Sequence, residues 1–203
     1  MIFAVALSLT LQLERTSFDL LDSISVEVVA HNSSAKPTQV VFPKPIEYEI
    51  SVLKDGAPIW RSPTAQPLGV TIPAHTRTLQ SGATVLAVYN WNEIEDDGST
   101  PGPGDYLVRV RLLGATAQPD ATLKVHFISP VPVSALAKLA IGDEVTIAGT
   151  LDETKGLLTD STGSIPLLKR LPGATGVIAI RGYISLRQDH TRAFFIKRWA
   201  PMK

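Results

Sequence analysis

The chain has 203 residues, of which 44% are hydrophobic and 19% charged, a balance that supports a buried core and excludes general disorder. Nineteen basic and nineteen acidic side chains cancel, so overall charge does not indicate a polyanion-binding protein. The absence of cysteine excludes disulfides, thiolate catalysis and cysteine-bound zinc. The charge is uneven, because residues 1–137 carry a net −4 and residues 138–203 a net +4, which suggests two modules.

The first half of the chain alternates between apolar and polar residues, which is typical of half-buried strands. Five segments show this period of two: LSLTLQL, ISVEVVA, YEISVL, YLVRVRL and LKVHF. Turn-forming residues separate them, so the spacing predicts a β-sandwich. The apolar N-terminal run lacks a basic n-region and is predicted to be a strand and not a signal peptide. No run is long enough to predict a membrane span.

A hairpin is predicted at Asp55-Gly56, because glycine accepts positive φ and aspartate bonds to its own turn backbone. The return strand then contains Trp60, followed by Arg61. Trp91 ends a second apolar run. A tryptophan in a sandwich strand more often fills the core than contacts a ligand, so both indoles are predicted to be buried by packing.

The second half begins after PVPVSALAKL, where prolines interrupt the strand pattern and Ser134 is predicted to cap a short helix. Four further strand-like segments follow, punctuated by glycines, and Gly182 in the middle of one of them predicts a bend or bulge. The size of this part is typical of a small barrel. The sequence therefore predicts an all-β protein: an immunoglobulin-like β-sandwich over residues 1–130 and an OB-like β-barrel over 138–203.

Two motifs carry a family resemblance. The D-G-x-x-x-W hairpin at Asp55–Trp60 and the G-x-Y strand start at Gly104–Tyr106, with the strand that ends at Trp91 between them, resemble the intracellular proteinase inhibitor (BsuPI) family over residues 7–127. The resemblance implies an immunoglobulin-like fold and, for the founding type, inhibition of a serine protease. It carries over no reactive-site residue. The segments GDEVTIAGTL and LLTDSTGSIPLL resemble bacterial OB-type domains, which implies a fold and not a function.

No catalytic constellation is recognisable in the sequence. The four histidines are scattered without metal-binding spacing, and there is no nucleophile elbow, P-loop or dinucleotide fingerprint. The acidic loop after Trp91 lacks the ligand order of a calcium loop, so a solvated loop is favoured over a metal site. We therefore expect a protein that is not an enzyme and that needs no cofactor or metal.

The leading functional hypothesis is a non-catalytic protein-binding module, with a serine protease inhibitor as one version, acting through sandwich loops near residues 62–78 or 91–105. Prolines in such a loop would lower the entropy lost on docking. The protein partner itself is not identified by the sequence. The candidate contact residues are Arg61, Arg77, Glu93, Glu95, Asp96 and Asp97.

The alternative hypothesis is binding of single-stranded nucleic acid by the second half. If the strand that contains Arg181 buries its isoleucines, its alternate residues lie on the outer face. Basic and aromatic residues of the following strand would share that face, and such a surface holds phosphates and stacked bases. The candidates are Arg181, Tyr183, Arg187, Lys197 and Trp199. The competing explanation is that Trp199 and Phe195 pack at the seam between the two predicted domains and that the arginines are ordinary barrel surface. An envelope-associated scaffold is a third hypothesis, and the compartment stays open between cytoplasm and export.

Overall fold

The computed structural model describes residues 7–43, 46–62, 73–91, 98–114 and 118–202. These residues form an almost entirely β structure with one short 3-10 helix at Val133–Lys138, which confirms the predicted all-β, sandwich-type fold. In chain order the strands are β1 (Leu7–Gln12), β2 (Ser17–Asp19), β3 (Ile24–Asn32), β4 (Thr38–Phe42), β5 (Tyr48–Lys54), β6 (Ala57–Arg61), β7 (His75–Leu79), β8 (Gly82–Trp91), β9 (Gly104–Leu112), β10 (Asp120–Ile128), β11 (Glu144–Asp152), β12 (Leu157–Asp160), β13 (Gly163–Pro166), β14 (Val177–Leu186) and β15 (Arg192–Pro201).

The chain folds into two compact units, and neither is continuous in sequence. Unit 1 contains Met1–Thr16, Ile24–Trp91 and Asp105–Val125, and unit 2 contains Ser17–Ser23, Asn92–Gly104 and His126–Lys203. Compactness alone does not show which parts fold independently. The domain bounds drawn from sequence, 1–130 and 138–203, therefore stay a prediction.

Unit 1 is built from antiparallel strands in three sheets. Its sheets have the orders β1-β3-β8, β10-β9-β5-β6 and β4-β7. Alternate residues of these strands are buried, among them Val26 and Val28 in β3, and Val108 and Val110 in β9. The period of two read from the sequence is therefore the inward and outward alternation of the strands.

The β5–β6 hairpin turns at Asp55-Gly56, as predicted. Asp55 has φ 50° and Gly56 has φ 81°, which is the left-handed pair that a tight two-residue hairpin needs. The indole of Trp91 is only 3% exposed, which confirms its predicted core position. Trp60 is half-buried, and its ring centroid lies 5.4 Å from that of Tyr89 and 5.9 Å from that of Trp91.

Unit 2 contains a five-stranded sheet of order β13-β12-β11-β14-β15, and β2 pairs in parallel with His126–Ile128. Its core includes Ile147, Leu158, Ile178 and Phe194. Within the described residues the sheet does not close into the expected barrel. The residue after β13, Leu167, makes a single parallel bridge to Phe194 of β15. Strand β13 has four residues and ends at Pro166, which has no N–H to extend the ladder.

Gly182 lies beside the predicted irregularity. The β14–β15 register shifts between Arg181 and Gly182, and Lys197 is the extra residue, on β15. A Cβ on Gly182 would lie 1.9 Å from the backbone oxygen of Phe195, so only glycine fits there. Because the extra residue is on β15, strand β14 keeps its alternation and Ile178, Ile180 and Ile184 are all buried.

The short helix of unit 2 is present, but its predicted cap is wrong. Pro132 occupies the N-cap position and makes no side-chain cap bond. The orphan N–H groups of the first turn donate to the β12–β13 turn instead: Val133 N–H to Asp160 Oδ2 at 2.8 Å, and Ser134 N–H to Thr162 Oγ1 at 3.0 Å. A tertiary contact therefore replaces the local cap that the sequence suggested.

Candidate functional site: an arginine groove

A groove of about 330 Å³ lies on the non-core face of the β10-β9-β5-β6 sheet in unit 1. Three neighbouring strands contribute its walls, and the β5–β6 turn closes one end. We call this surface the arginine groove. It is lined by Glu49, Ser51, Leu53, Gly56, Pro58, Arg61, Arg109 and Arg111.

The depression exists because a small residue lies between two large ones. Ser51 is the cross-strand partner of Arg61 on β6 and of Arg109 on β9, so the three residues form one row across the sheet. Directly opposed side chains have Cβ atoms about 5 Å apart, which places the two arginine stems on either side of the serine hydroxyl. Ser51 itself is only 7% exposed, so an acceptor lying over it would meet mainly the guanidinium donors of the two arginines.

The backbone around Arg61 is fixed on both sides. Trp60 points into the core, against Tyr89 and Trp91, so alternation turns Arg61 towards the groove. The following residue, Ser62, donates its N–H to Ile50 O at 2.8 Å and accepts the Ile50 N–H on its hydroxyl at 3.0 Å. Arg61 is thus presented from an ordered strand end.

The charges of the groove are not balanced. Arg109 donates from Nε and Nη2 to Asp120 Oδ2, at 3.1 and 2.5 Å, whereas Arg61 and Arg111 have no ion-pair partner among the described residues. Glu49 is opposite Arg111 in the register, yet the two make no ion pair. Three guanidiniums against the two carboxylates of Glu49 and Asp120 leave one positive charge. One additional anionic group would neutralise it.

A second cavity of about 210 Å³ continues the groove along β5. The two share Leu53 and Gly56, and Leu107 of the second cavity is the cross-strand partner of Leu53. The second cavity is lined by Leu53, Asp55, Gly56, Asp105, Tyr106, Leu107 and Lys124. Its floor is therefore apolar, and its rim carries two carboxylates and one ammonium group.

The structure brings one of the predicted protein-binding residues, Arg61, into this site. Arg77 lies on β7, where it donates to Glu47 at 2.5 Å, and the other Glu47 oxygen contacts His75 Nε2 at 3.0 Å. Burial raises the pKa of the adjacent Tyr48, and Glu47 raises it further. The remaining predicted contacts, Glu93, Glu95, Asp96 and Asp97, lie outside the described residues.

In unit 2, Arg181 lies on the outer face of β14, as expected, but it is not an open cation. Its side chain is 16% exposed and ion-pairs with Asp19 at 2.7 Å, Asp22 at 3.1 Å and Glu144 at 3.1 Å. Burial alone would lower the pKa of Arg181, but the hydrogen bond that it donates to Asp19 and the nearby carboxylate charges raise it above its usual range. This cluster holds the segment Ser17–Ser23 against the sheet, together with an Arg198 hydrogen bond to Leu21 O.

Of the other predicted nucleic-acid residues, Tyr183 and Lys197 lie on the same outer face as Arg181, around Glu144, whereas Trp199 does not. Tyr183 stacks on Phe195, with centroids 4.7 Å apart and an interplanar angle of 17°, and Lys197 contacts Glu144. The face predicted for Trp199 is wrong: after the bulge at Lys197 it packs against the core of unit 2. Arg187 lines a separate shallow cavity of about 500 Å³ beside the β14–β15 turn.

Arg109, Arg111 and Ser51 are not among the residues predicted from sequence to form a site. A signal for two of them was present, because Arg109 and Arg111 alternate with buried valines and so had to share the non-core face of one strand. Ser51 gives no such signal. Its role depends on the strand order β9-β5-β6, which places it between two arginines.

Two further observations concern the described part of the chain. Within the ranges given above, no three His, Asp or Glu side chains are grouped so that they could hold a metal ion. No helix in the described ranges has both the length and the apolar character needed to cross a bilayer.

Comparisons with known proteins identify no family. No family model matches the chain, and no curated protein matches it. Among solved structures, the chain is similar to the β-glucosidase EmGH1 of Erythrobacter marinus, with 15% identity and a TM-score of 0.36 over 61% of this chain and 15% of that one. A β-glucosidase of Listeria innocua is similar at 15% identity and a TM-score of 0.34, over 60% and 16% of the two chains.

The chain therefore spans about 15% of the length of these β-glucosidases. It is also similar to Spo0M, a sporulation control protein of Bacillus subtilis, with 13% identity and a TM-score of 0.40 over 95% of this chain and 91% of that one. At these identities and TM-scores, none of the likenesses supports an argument about activity.

Proposed function

We propose that this protein is a non-catalytic protein-binding module, and that the arginine groove of unit 1 is the surface that receives its partner. The partner contributes a carboxylate side chain. The observation that carries the proposal is the row Arg61–Ser51–Arg109, in which a hydroxyl lies between two arginines and the site retains one positive charge.

The electrostatics of the groove favour a carboxylate ligand. Arginine presents several N–H donors in a planar fork that matches a carboxylate, and charge-assisted hydrogen bonds are about twice as strong as neutral ones. A single carboxylate brings the net charge of the groove to zero. A doubly charged phosphate group would leave an excess negative charge beside Glu49 and Asp120.

The scaffold of the groove is suited to recognition. Strand β5 is hydrogen-bonded on both sides and Arg109 is already oriented by Asp120, so the backbone and one of the three guanidiniums are ordered before binding. The one hydroxyl of the lining, on Ser51, makes no hydrogen bond to the neighbouring Glu49 carboxylate among the described residues, so no nucleophile–base pair is formed there. These features support a binding role more than a catalytic one.

The finer fold assignments are part of this proposal. We interpret unit 1 as the immunoglobulin-like, BsuPI-type sandwich that the D-G-x-x-x-W and G-x-Y motifs suggest. We interpret the unit 2 sheet as OB-like, because three consecutive strands are followed by a hairpin whose last strand makes a parallel bridge near the third. Nucleic-acid binding by unit 2 is not proposed, since three carboxylates surround Arg181.

The test is an NMR titration of the ¹⁵N-labelled protein with an extended glycine–serine peptide that carries one central glutamate and has blocked ends. We expect amide shifts in β5, β6 and β9. The same peptide with glutamine should bind at least tenfold more weakly, as expected when a charged hydrogen bond is lost. Arg61→Ala with Arg111→Ala should abolish the shifts.

The matched control is Lys36→Ala, which removes one positive charge from an exposed turn of the same unit. It should leave the titration unchanged. Equal binding of the glutamate and glutamine peptides, or binding unaffected by the arginine substitutions, would contradict the proposal.

The inhibitor version is tested separately, because Arg61 would then act as a specificity residue for a protease. Purified protein is titrated into a panel of subtilisin-like and trypsin-like proteases. Inhibition that disappears with Arg61→Ala supports it, and absence of inhibition at micromolar concentration removes it while leaving the binding proposal intact.

A further inference from the structure

The arginine groove and the second cavity form one track along β5. Outward positions of this strand are Glu49, Ser51 and Leu53, two residues apart, and each lies in a row with a residue of β9: Arg111, Arg109 and Leu107 respectively. A strand rises about 3.4 Å per residue, so successive rows are about 7 Å apart. The track thus changes from cationic at Ser51 to apolar at Leu53 within one step.

From this repeat we infer that the partner segment is an extended chain carrying a carboxylate side chain and a large apolar side chain two residues apart. The inference rests on the proposed function and specifies its ligand. An extended ligand running along β5 has the same repeat of about 7 Å between side chains on one face. Its carboxylate would lie over Ser51 while its apolar side chain lies over Leu53 and Leu107.

The apolar end offers a real surface for such a side chain. Leu53 and Leu107 are both half-buried, and Pro58 lies opposite Leu53 on β6. Together with Tyr106 these residues line the two cavities where they meet. Covering this surface with one leucine side chain removes apolar area from water on both partners, which is the usual origin of affinity in such pockets.

Charge along the track fixes the register of the ligand. The arginine groove retains one positive charge, whereas Asp55 and Asp105 of the second cavity are balanced by Lys124 and by Lys54, whose ammonium lies 5.2 Å from the Tyr106 ring centroid. A ligand shifted by one repeat would place its carboxylate beside those two aspartates. The net positive charge attracts the carboxylate at the right position and is missing at the wrong one, and this difference sets the register.

The residue separation that places the two groups on one face depends on the conformation of the ligand. In a helix, residues two apart point in different directions, so a helical ligand would present the two groups on one face only at a separation of three or four residues. Residues adjacent in an extended chain point to opposite faces. In an extended ligand, a separation of two residues therefore brings both groups onto the sheet.

The experiment is the same NMR titration with a series of blocked peptides that contain one glutamate and one leucine in a glycine–serine background. The separation is one, two or three residues, and both orders are made. We expect separation two to bind about tenfold more tightly than the other two, and than the peptide with glutamate alone, which is the gain typical of burying one leucine side chain. The preferred order reports the direction of the ligand along β5.

Two variants locate the effect. Leu107→Gln should reduce binding of the separation-two peptide to that of the glutamate-only peptide, with no change for the latter. Leu53→Thr, which keeps a strand-forming residue, should act in the same direction and guards against a folding defect in the first variant. Each variant is accepted only if its amide spectrum outside the track matches the wild type.

The outcomes separate the two claims. Equal affinity at all separations, with continued dependence on Arg61 and Arg111, overturns the inference and leaves the proposed function standing. Absence of binding by every glutamate peptide overturns both. Tightest binding at separation two, lost on Leu107→Gln, supports both.

Discussion

Two sheet faces of this protein carry arginine, and they use it differently. On unit 2, Arg181 is surrounded by Asp19, Asp22 and Glu144 and is 16% exposed. On unit 1, Arg61 and Arg111 have no ion-pair partner among the described residues. An arginine whose charge is already compensated stabilises the fold, whereas one held in place without a partner can bind a ligand.

Strand position alone does not separate the two cases. Both faces consist of alternate residues of long antiparallel strands, and both place polar residues opposite a buried aliphatic row. The difference lies in the segment supplied across the face. In unit 2 the segment Ser17–Ser23 contributes two carboxylates to Arg181, while the groove of unit 1 has Glu49 and an Asp120 already used by Arg109. Specificity for an anion therefore follows from the positive charge that the fold leaves without a compensating carboxylate.

The largest expected effect is a loss of stability in unit 2 when a side chain is added at Gly182, beside Arg181. Gly182→Ala places a Cβ 1.9 Å from the Phe195 carbonyl oxygen, so β14 and β15 must separate beside Arg181. We expect a loss of about 3 kcal/mol in the free energy of unfolding. Denaturant unfolding measures it, and hydrogen exchange should show the loss in β14 and β15.

The control for this change is Gly163→Ala in the same unit. A Cβ at Gly163 meets its nearest atom, Val133 Cγ1, at an ordinary 3.6 Å. Its free energy of unfolding should stay within about 0.5 kcal/mol of the wild type. Equal losses at the two glycines would show that close approach of β14 and β15 at Gly182 is not the cause.

The next largest effect is expected from removing an ion-paired arginine, Arg181, in comparison with an arginine without an ion pair, Arg111. Arg181→Ala leaves Asp22, which is 8% exposed, without its main charge partner, and we expect a loss of about 2 kcal/mol. This is less than for a fully buried pair because Asp19 and Glu144 are partly solvated. Arg111→Ala should change the free energy of unfolding by less than about 0.5 kcal/mol, since it breaks no ion pair among the described residues. Similar losses for both variants would contradict the distinction between the two faces.

Much of this fold could be predicted from the sequence, because each strand carries its own alternation. The positions of β1, β3, β5, β6 and β9 follow from the inward and outward residues, and the turn at Asp55-Gly56 follows from its need for positive φ. Such features are local. Alternation therefore predicts which residues share a strand face wherever the strand has no bulge.

The features that could not be predicted from the sequence are those that depend on contacts between distant residues. Arg181 meets Asp19 across 162 positions of sequence, so its neutralisation has no local signal. Trp199 changed faces because one extra residue, Lys197, inverts the alternation of β15 beyond it. Arg61 joins Arg109 only because β5 lies between β6 and β9, an order that alternation does not encode.

A smaller and opposite effect is expected from Glu49→Gln in the groove. The substitution removes a negative charge from the wall and raises the net charge of the groove from +1 to +2. At a separation of about 8 Å in a partly solvated site, this should tighten binding of the glutamate peptide about threefold. The NMR titration measures it, and weaker binding would show that Glu49 orients Arg111 for the ligand instead of competing with it.

The smallest expected effect is the acid sensitivity that Glu144 gives to unit 2. The hydrogen bond from Lys197, with the positive charges of Arg181 and Lys197, holds the pKa of Glu144 below its usual 4.5 despite some desolvation. A carboxyl whose pKa is lower in the folded than in the unfolded state contributes stability above its unfolded pKa and loses it as the pH falls through the folded one. The contribution is about 0.5 kcal/mol, because the pair is exposed to solvent.

Glu144→Gln should therefore lower the free energy of unfolding near neutral pH and flatten its decline below about pH 4.5. The control is Glu49→Gln, which breaks no ion pair among the described residues and should leave that decline unchanged. If both substitutions flattened it equally, carboxylate pairing on the unit 2 face would not be what distinguishes it from the groove.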